Sequence, residues 1–456
     1  MVLHHTGIFP TCPVNLTVYL KLLCYSVRFK YRGPALAASK KRHHDPWASL
    51  RIPNFRKYLI ARFSIVLASQ IQYVVVAQIL YEWTHDPLAL GLSGLCEAIP
   101  AILCALPAGH LIDRGSAKKF LLTSYLGAML ATLMIFWAFK FQHGAALFLY
   151  LPLGLIGVMR AFLSPANFSV QTSIVPVDLY FNCSTWDSGL WHIGAVSGPA
   201  LGGILYATIG AEKTFLIVFA LICLSFLAMA LVMPPPKLAR PVTSTEETSL
   251  WENLIEGFNF VKSRQLMIGA MSLDMFAVLF GGAVALLPIF SSEILHTGAL
   301  GLGYLRAAPA LGATIMGLIL AFFPPIKKAG RALLLAVLGF GMATIGFALS
   351  TTFWFAFCFL VLTGMFDNIS VIVRSTIVKT MTPSHMRARI SAVNSIFIGS
   401  SNEIGAFESG FTAKLFGTVP AVILGGCMTM LVVVFASLKA KKLRRLDFSK
   451  PDWANA

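Results

Sequence analysis

Charged residues are scarce in this chain, and their scarcity excludes most kinds of soluble protein. Asp, Glu, Lys and Arg make up 12% of the 456 residues, whereas hydrophobic residues make up 57%. A soluble globular domain usually carries about 25% charged residues, because its surface has to interact with water. The composition therefore predicts an integral membrane protein.

Metal-binding, redox and nucleotide-binding motifs are also missing. The eight cysteines form no CxxC pair and no Cys/His ligand spacing, and most of them lie inside apolar segments. No GxxxxGK[ST] phosphate loop occurs in the sequence. We therefore expect no metal site, no cofactor and no enzymatic activity, and the absence of the phosphate loop argues against an ATP-driven pump.

Long apolar runs, in contrast, are abundant. Stretches of about 20 residues, the length that crosses a bilayer as a helix, recur from Tyr58 to Leu438 between short polar or Gly/Pro-rich breaks. We predict an all-α membrane protein with twelve transmembrane helices. The predicted spans are approximately residues 58–81, 88–111, 120–138, 146–163, 183–207, 214–233, 267–290, 300–323, 332–349, 353–378, 390–416 and 419–438.

Basic residues outnumber acidic ones, 36 to 19, and they lie in alternate loops. They cluster before span one, after spans two, eight, ten and twelve, and in the central loop, while the opposite loops hold little more than Lys140, Lys213 and Lys414. By the positive-inside rule, both termini are predicted to be cytoplasmic. Membrane topology thus explains the net charge of +17, and no nucleic-acid partner is expected.

The longest polar interval divides six predicted spans from six. Within it, Leu250, Leu254, Phe258 and Val261 recur at helical spacing, which predicts an amphipathic helix on the membrane surface. We predict a disordered leader of uncertain role (1–46), a first six-helix bundle (47–233), a cytoplasmic linker (234–266), a second six-helix bundle (267–438) and a basic cytoplasmic tail (439–456).

The loop after span two carries a recognisable motif, GHLIDRGSAKK at residues 109–119. It resembles the GxLxDRxGRK signature of the major facilitator superfamily of transporters, with substitutions at positions 116 and 117. In that family the signature places a small residue at a close helix contact and an Asp that pairs with basic groups between the bundles. The resemblance therefore implies a gating motif consisting of Gly109, Asp113, Arg114 and Lys118.

Span five reads GAVSGPALGG at residues 194–203 and fits every fixed position of the GxxxGPxxGG pattern that marks antiporters in the same superfamily. Small residues at this spacing share a helical face and let another helix approach closely, and the proline favours a bend. The competing interpretation is an ordinary packing seam. The implied antiporter motif consists of Gly194, Gly198, Pro199, Gly202 and Gly203.

The resemblance extends over nearly all of residues 47–446, and residues 84–91 and 391–410 look like the subgroup of enterobactin exporters and macrolide efflux proteins. It implies two six-helix bundles in the bacterial inner membrane that move small amphipathic molecules outward, with the proton gradient as the energy source. A proton-coupled importer and a membrane receptor or scaffold without transport are the alternatives. The expected partners are the substrate and the lipid bilayer, and we expect a monomer.

Charged residues inside the predicted spans are costly, about 2.5–3.5 kcal/mol each at a helix centre, and usually line a pathway or pair with one another. Two polar stripes are expected to face a central cavity: residues 160, 164, 167 and 171 on span four, and residues 363, 367, 370 and 374 on span ten. The predicted substrate and proton pathway consists of Glu97, Arg160, Asp274, Arg306, Asp367, Arg374, Glu403 and Glu408.

Span eleven carries two of these acids on different faces. At 100° per residue, Glu408 lies near the polar face of the span and Glu403 lies far from it, so we expect Glu408 to be closer to the cavity. Asp367 lies near mid-membrane in span ten and is our first choice as proton carrier.

Two questions stay open at this point. Each charge could belong to a buried ion pair that locks two helices, for example Asp274 with Arg306. The charge of the cargo is equally undecided, since a catecholate siderophore would favour the arginines and a cationic drug would favour the carboxylates.

Overall fold

The computed structural model describes residue 45 and residues 47–141, 146–233, 250–322, 327–383 and 386–448. The described residues from Trp47 onward belong to one compact unit. Within the described ranges the chain is almost wholly helical and contains no strand. The predicted leader, the first half of the predicted linker and the end of the predicted tail lie outside the described residues.

Twelve main helices follow one another along the described chain. They are α1 (Pro53–Thr84), α2 (Pro87–Arg114), α3 (Ala117–Phe141), α4 (Leu147–Ile174), α5 (Tyr180–Ala230), α6 (Leu250–Ser263), α7 (Gln265–Phe280), α8 (Gly298–Phe322), α9 (Ala329–Ala348), α10 (Phe353–Met381), α11 (Arg387–Phe416) and α12 (Thr418–Lys439). The helix α6 lies inside the predicted linker, and the other eleven overlap the twelve predicted spans, with α5 covering spans five and six and α4 extending eleven residues beyond span four.

Helix α5 is a hairpin of two antiparallel helices. Its backbone leaves the helical conformation at Gly210, where φ is 80° and ψ is 170°, a left-handed conformation that glycine adopts readily. Near the start of α5, Asn182 hydrogen-bonds Ser49, and just after its end the carbonyl of Met233 accepts a bond from Asn54 at 2.8 Å. Both ends of α5 therefore lie at the start of α1.

Ten described segments are long and apolar enough to cross a membrane. That number counts the α5 hairpin once and omits α11, which is too polar to qualify although its 30 residues would extend about 45 Å at 1.5 Å per residue. With the hairpin counted as two and α11 included, the described residues contain twelve helices long enough to span, which is the predicted number, although α11 is included on its length alone.

Predicted span seven, residues 267–290, is present as the membrane-crossing segment Gln265–Ile294, but it is not one continuous α-helix. Helix α7 ends at Phe280, and three short helical turns complete the crossing as far as Ile294. At the break, the backbone of Gly282 approaches α11 closely. A Cβ added at Gly282 would lie 2.6 Å from the carbonyl oxygen of Gly405. A regular apolar pattern gave no sign of this close approach.

The helices form two groups. Helices α1 to α5 pack mainly on one another, as do α7 to α12, and the principal contacts between the groups are α2 with α11 and α5 with α8. We call these groups the first and second bundles. The hairpin end of the molecule holds Asp86, Gly210, Thr297 and Gly417, and the opposite end, which we call the linker end, holds Leu231, α6 and the start of α11.

The bundles approach each other closely at the hairpin end. A Cβ added at Gly410 of α11 would lie 3.0 Å from the Cα atom of Gly91 on α2, and one added at Gly203 of α5 would lie 2.8 Å from the Cα atom of Gly303 on α8. Such distances are possible only because all four residues lack side chains. Glycine therefore permits backbone contact across the bundle interface at this end.

The same helix faces are open at the linker end. Three of these helices carry a second glycine nearer that end, on the same face to within about 40° at 100° per residue. They are Gly109 on α2, Gly189 on α5 and Gly399 on α11. A Cβ added at any of the three would meet no atom within 4 Å, so the space between the bundles opens at the linker end.

The predicted amphipathic helix is present as α6 and lies against the second bundle. A Cβ at Gly257 would lie 3.1 Å from the carbonyl oxygen of Arg389, on α11, and Glu256 forms an ion pair with the same arginine. After α12 the chain packs back on the start of α9, where the amide of Gly330 donates to the carbonyl of Leu446 at 3.1 Å. Both segments thus cover the linker end of the second bundle.

Candidate functional site

A cavity of about 730 Å³ lies between the two bundles. Most of its wall is apolar, and the larger aromatic residues on it are Tyr73, Tyr125, Trp191, Phe340 and Phe347. Of the eight charged residues that the sequence assigns to a pathway, five line this cavity: Glu97, Arg160, Arg306, Asp367 and Glu403. A large, mainly apolar chamber with a few charges suits a small amphipathic ligand.

Arg160 joins the two bundles in the middle of the molecule. One terminal nitrogen of its guanidinium lies 2.7 Å from Glu97 on α2 and 3.0 Å from Glu403 on α11. The two carboxylates are largely shielded, whereas half of the Arg160 side chain is exposed to the cavity. Arg160 thus shares its charge between two acids, and one of the two bonds crosses the bundle interface.

Arg306 crosses the interface in the opposite direction. Its guanidinium carbon, on α8 of the second bundle, lies 3.5 Å from the centre of the Tyr73 ring on α1, which is a cation–π contact. Among the described residues, no carboxylate oxygen lies within ion-pair distance of Arg306. Each bundle therefore extends one arginine to the other across the cavity.

Asp274 forms a buried ion pair, and its partner is not the one suggested from the sequence. Arg374 of α10 lies 2.9 Å from Asp274 of α7, and Ser370 donates a hydrogen bond of 2.9 Å to the same carboxylate. The side chains of the pair are only 6–7% exposed. The suggested pairing with Arg306 is wrong, because that arginine reaches from α8 to α1 of the first bundle.

Asp367 lies two turns before Arg374 yet has a different environment. It lines the large cavity and also a small void beside Asp274, Ser370 and Phe340. Among the described residues, no basic group lies within 4 Å of its carboxylate, since Arg374 is bound to Asp274. Asp367 is therefore the one acid on the described cavity wall without an arginine bound to it.

The expected order of the two acids on α11 was wrong. Glu403 lines the cavity and binds Arg160, whereas Glu408 is half-buried outside the cavity wall. The polar face on which the prediction relied includes Ser409, which packs on Gly282 of its own bundle. That face therefore partly serves helix packing, while Glu403 points toward α2 and the first bundle.

The two polar stripes face the cavity only in part. Thr363 and Asp367 of α10 line it, but Ser370 and Arg374 turn toward Asp274. On α4 only Arg160 of the predicted stripe lies on the cavity wall. The stripes divide because one helix face passes from the cavity to a neighbouring helix within two turns.

The predicted gating motif is described only in part, because the side chains of Asp113 and Arg114 lie outside the described atoms. Gly109 faces the open space at the linker end. The Lys118 ammonium donates to the carbonyl oxygen of Ala230 at 2.7 Å, a favourable position for a cation at the end of a helix. This contact lies within the first bundle.

The predicted antiporter motif packs α5 against two different helices. A Cβ at Gly194 would lie 2.7 Å from Val66, and one at Gly202 would lie 3.1 Å from the carbonyl oxygen of Ile71, both on α1. Gly198 likewise faces Gln70 of α1, while Gly203 faces α8. Helix α5 continues through Pro199, since Gly210 holds its one non-helical backbone conformation.

Gly203→Val should slow transport by about 5- to 150-fold. A valine there would place its Cβ 2.5 Å from the Ala299 carbonyl and 2.8 Å from Gly303, both backbone atoms that cannot move aside cheaply. Overpacking of this kind costs about 1–3 kcal/mol, and about 1.4 kcal/mol corresponds to a tenfold change in rate. The measurement is initial transport rate in vesicles at equal protein content.

Ala207→Val is the matched control for this variant, because Ala207 is exposed one turn further along α5. It should transport at the normal rate. Normal transport by Gly203→Val as well would show that the bundles need not touch here during the cycle.

Two cross-bundle contacts at the hairpin end were missed in the sequence. Lys414 binds Asp86 at 2.7 Å, and Tyr81 donates a hydrogen bond to Glu293. In the sequence Lys414 stands out only as a rare basic residue in an outer loop. The acidic partner, Asp86, also caps α2, where it accepts a hydrogen bond from the amide of Leu88 at 3.0 Å. The sequence alone does not tell that the loop holding Lys414 meets this cap.

Comparisons with known proteins agree with this architecture. The chain is 25% identical to the enterobactin exporter EntS of Shigella flexneri over 411 residues, which covers 88% of this chain and 94% of that protein. The counterpart from Escherichia coli O1:K1 / APEC is also 25% identical, over 419 residues, with the same coverage.

Solved structures show the same fold at low sequence identity. A point mutant of the nucleoside transporter NupG superposes with a TM-score of 0.69 at 12% identity, over 84% of this chain and 99% of that one. A bacterial homologue of the human lysosomal transporter Spinster, in an inward-facing and unoccupied conformation, superposes with a TM-score of 0.64 at 17% identity, over 89% and 97%. The family model described as Major Facilitator Superfamily matches residues 58–406, and the chain therefore belongs to the major facilitator superfamily.

Proposed function

We propose that this secondary transporter is a proton-coupled exporter of small amphipathic molecules that works by alternating access. The two bundles, residues 47–233 and 267–438, would rock about the central cavity. The glycine contacts at the hairpin end and the open glycine faces at the linker end support this, because they correspond to one closed and one open end.

The observation that carries the proposal of proton coupling is the position of Asp367. A proton carrier must be reached from the cavity and must be able to gain and lose its proton during the cycle. Glu97 and Glu403 both bind Arg160, so a proton that entered either carboxylate would have to compete with an ion pair. Asp367 lies on the cavity wall without such a partner, so it is the acid best placed to exchange a proton.

The outward direction rests on different support. Helix α5 carries the complete GxxxGPxxGG pattern of the antiporters, and its glycines provide the close packing that the pattern implies. The proteins of similar sequence are named as enterobactin exporters. An importer of a small solute remains the competing function, and the nucleoside transporter of similar fold does not discriminate between the two.

We further propose that the linker end faces the cytoplasm, so that the cavity is open to the inside. The alternation of basic loops supports this orientation. In a variant without native cysteines, a single cysteine at Ser116 should react with an impermeant maleimide only after cell lysis, and one at Thr297 should react in intact cells. Labelling of the Ser116 position in intact cells would reverse the orientation.

The direction and coupling can be tested together in vesicles of one orientation. An outwardly directed flow of a fluorescent amphipathic dye should drive protons in the opposite direction, recorded with a pH-sensitive dye. Movement of protons in the same direction as the dye would establish symport, and dye movement without proton movement would exclude coupling. Protein-free vesicles provide the background.

A further inference from the structure

The ionisable groups of the cavity wall do not balance. Five charged side chains line it, two arginines and three carboxylates, together with His192. Arg160 is bound to Glu97 and Glu403, and Arg374 is bound to Asp274 away from the cavity. With all five cavity groups ionised and the histidine neutral, the cavity carries one net negative charge.

The imbalance is localised at Asp367. The row Glu97, Arg160 and Glu403 carries one net negative charge, and the positive charge of Arg306, which acts on Glu403, balances it, while Arg306 itself is stacked on Tyr73. Asp367 lies on α10, where its nearest ionisable neighbours are Asp274 of α7 and Arg374 of its own helix. These two neutralise each other at 2.9 Å. A positive charge entering the cavity is therefore stabilised best beside Asp367.

The wall next to Asp367 is aromatic. Phe340 of α9 borders both the large cavity and the void beside Asp367, and Phe347, two turns further along α9, also lines the cavity. An aromatic face beside a carboxylate is a favourable setting for an organic cation, because the ring attracts the positive charge and the apolar wall contacts the rest of the molecule. A strongly hydrated metal ion gains nothing from such a wall.

We propose that the substrate is an organic monocation with an apolar or aromatic body, and that its positive charge binds at Asp367. This rests on the proposed proton-coupled export and specifies its substrate class. It departs from the simplest reading of the relatives' names, since the arginines that would hold an anionic cargo are already bound to carboxylates or stacked on a ring.

The coupling to protons depends on the same negative charge, that of the Asp367 carboxylate. One carboxylate cannot hold a proton and compensate a cation at the same time, so the two ligands compete. Competition at one shared group produces exchange in opposite directions, because the carrier returns loaded with whichever ligand it binds on the other side. An anion would instead bind best when the acid is protonated, and the two would move together.

Tetraphenylphosphonium and tetraphenylborate test this inference, because they share one shape and carry opposite charges. Their binding to the purified full-length protein in lipid nanodiscs is measured at equilibrium without any gradient. The phosphonium should bind at least about tenfold more tightly than the borate, and its affinity should fall as the pH is lowered. Because no transport takes place, this readout is independent of whether the protein exports or couples to protons.

Variants locate the charge preference. Asp367→Asn should abolish it, Asp367→Glu should retain it, and Glu212→Gln, which removes an acid paired with Lys140 at the hairpin end, should leave it unchanged. The wild-type comparison stands even if Asp367→Asn fails to fold. Equal binding of both probes, tighter binding of the borate, or displacement of the phosphonium by Na⁺ at constant pH and ionic strength would overturn the proposal.

Discussion

Replacing Asp274 with Asn should lower the free energy of unfolding by about 3–5 kcal/mol, the range seen when one partner of a buried ion pair is removed. Asn can still accept the hydrogen bond from Ser370 and has nearly the same shape, so packing is preserved. What is lost is the charge that compensates Arg374, a side chain only 7% exposed. The expected damage is therefore electrostatic.

The two halves of this ion pair should not be equivalent. Arg374 cannot lose its proton within the protein, so in Asp274→Asn it stays charged in a low-dielectric site. In Arg374→Gln, by contrast, Asp274 can take up a proton and become neutral. Arg374→Gln should therefore destabilise less than Asp274→Asn, and the double variant should recover most of the loss.

These differences in stability are measured as shifts in the denaturation midpoint of each variant, unfolded in a mild detergent at fixed pH. The loss in Arg374→Gln should grow as the pH rises, because a neutral Asp274 then becomes harder to maintain. Equal losses in both single variants at all pH values, with no recovery in the double variant, would show that shape and hydrogen bonding matter more than charge. Glu212→Gln serves as an exposed control.

The fold was largely predictable because the bilayer imposes helix length and hydrophobicity on each span separately. The positions of α1 to α5 and α7 to α12 follow from these local signals, and the three motif glycines 194, 198 and 202 face a neighbouring helix as their spacing indicates. The interruption after Phe280 depends on the close approach of α11 to Gly282. Local hydropathy contains no information about such a contact.

The candidate site was predictable in its residues but not in its pairings. Charge inside a span is rare enough to mark Arg160 or Asp367 from the sequence, whereas the partner depends on how helices distant in sequence rotate against each other. Arg160 is bound to Glu403, which lies 243 positions away. Helical spacing placed Glu403 off the polar face of α11. Only the position of α2 shows that the face of α11 that carries Glu403 is the one that contacts the first bundle.

Asp367→Asn should abolish uphill transport while downhill transport continues. One proton moving down a gradient of one pH unit releases about 1.4 kcal/mol, which can sustain about a tenfold concentration ratio of substrate. Asn cannot bind this proton, so the ratio reached by the variant should fall to about one. Vesicles with an imposed pH gradient and a radiolabelled organic cation measure the ratio at steady state.

The exchange of one monovalent cation for one proton moves no net charge, so the membrane potential should not change the ratio reached by the wild-type protein. Clamping the potential with valinomycin and K⁺ therefore separates coupling through Asp367 from accumulation driven by voltage. Asp367→Asn should bind the substrate more weakly, so the substrate concentration must exceed the raised dissociation constant of the variant. Counterflow of the substrate then persists, which proves that the variant is folded and can alternate. Glu408→Gln should keep the full ratio, because Glu408 lies outside the cavity wall. A full ratio in Asp367→Asn would eliminate Asp367 as the carrier and leave Glu97 and Glu403, whose bonds to Arg160 would then have to break and reform in every cycle.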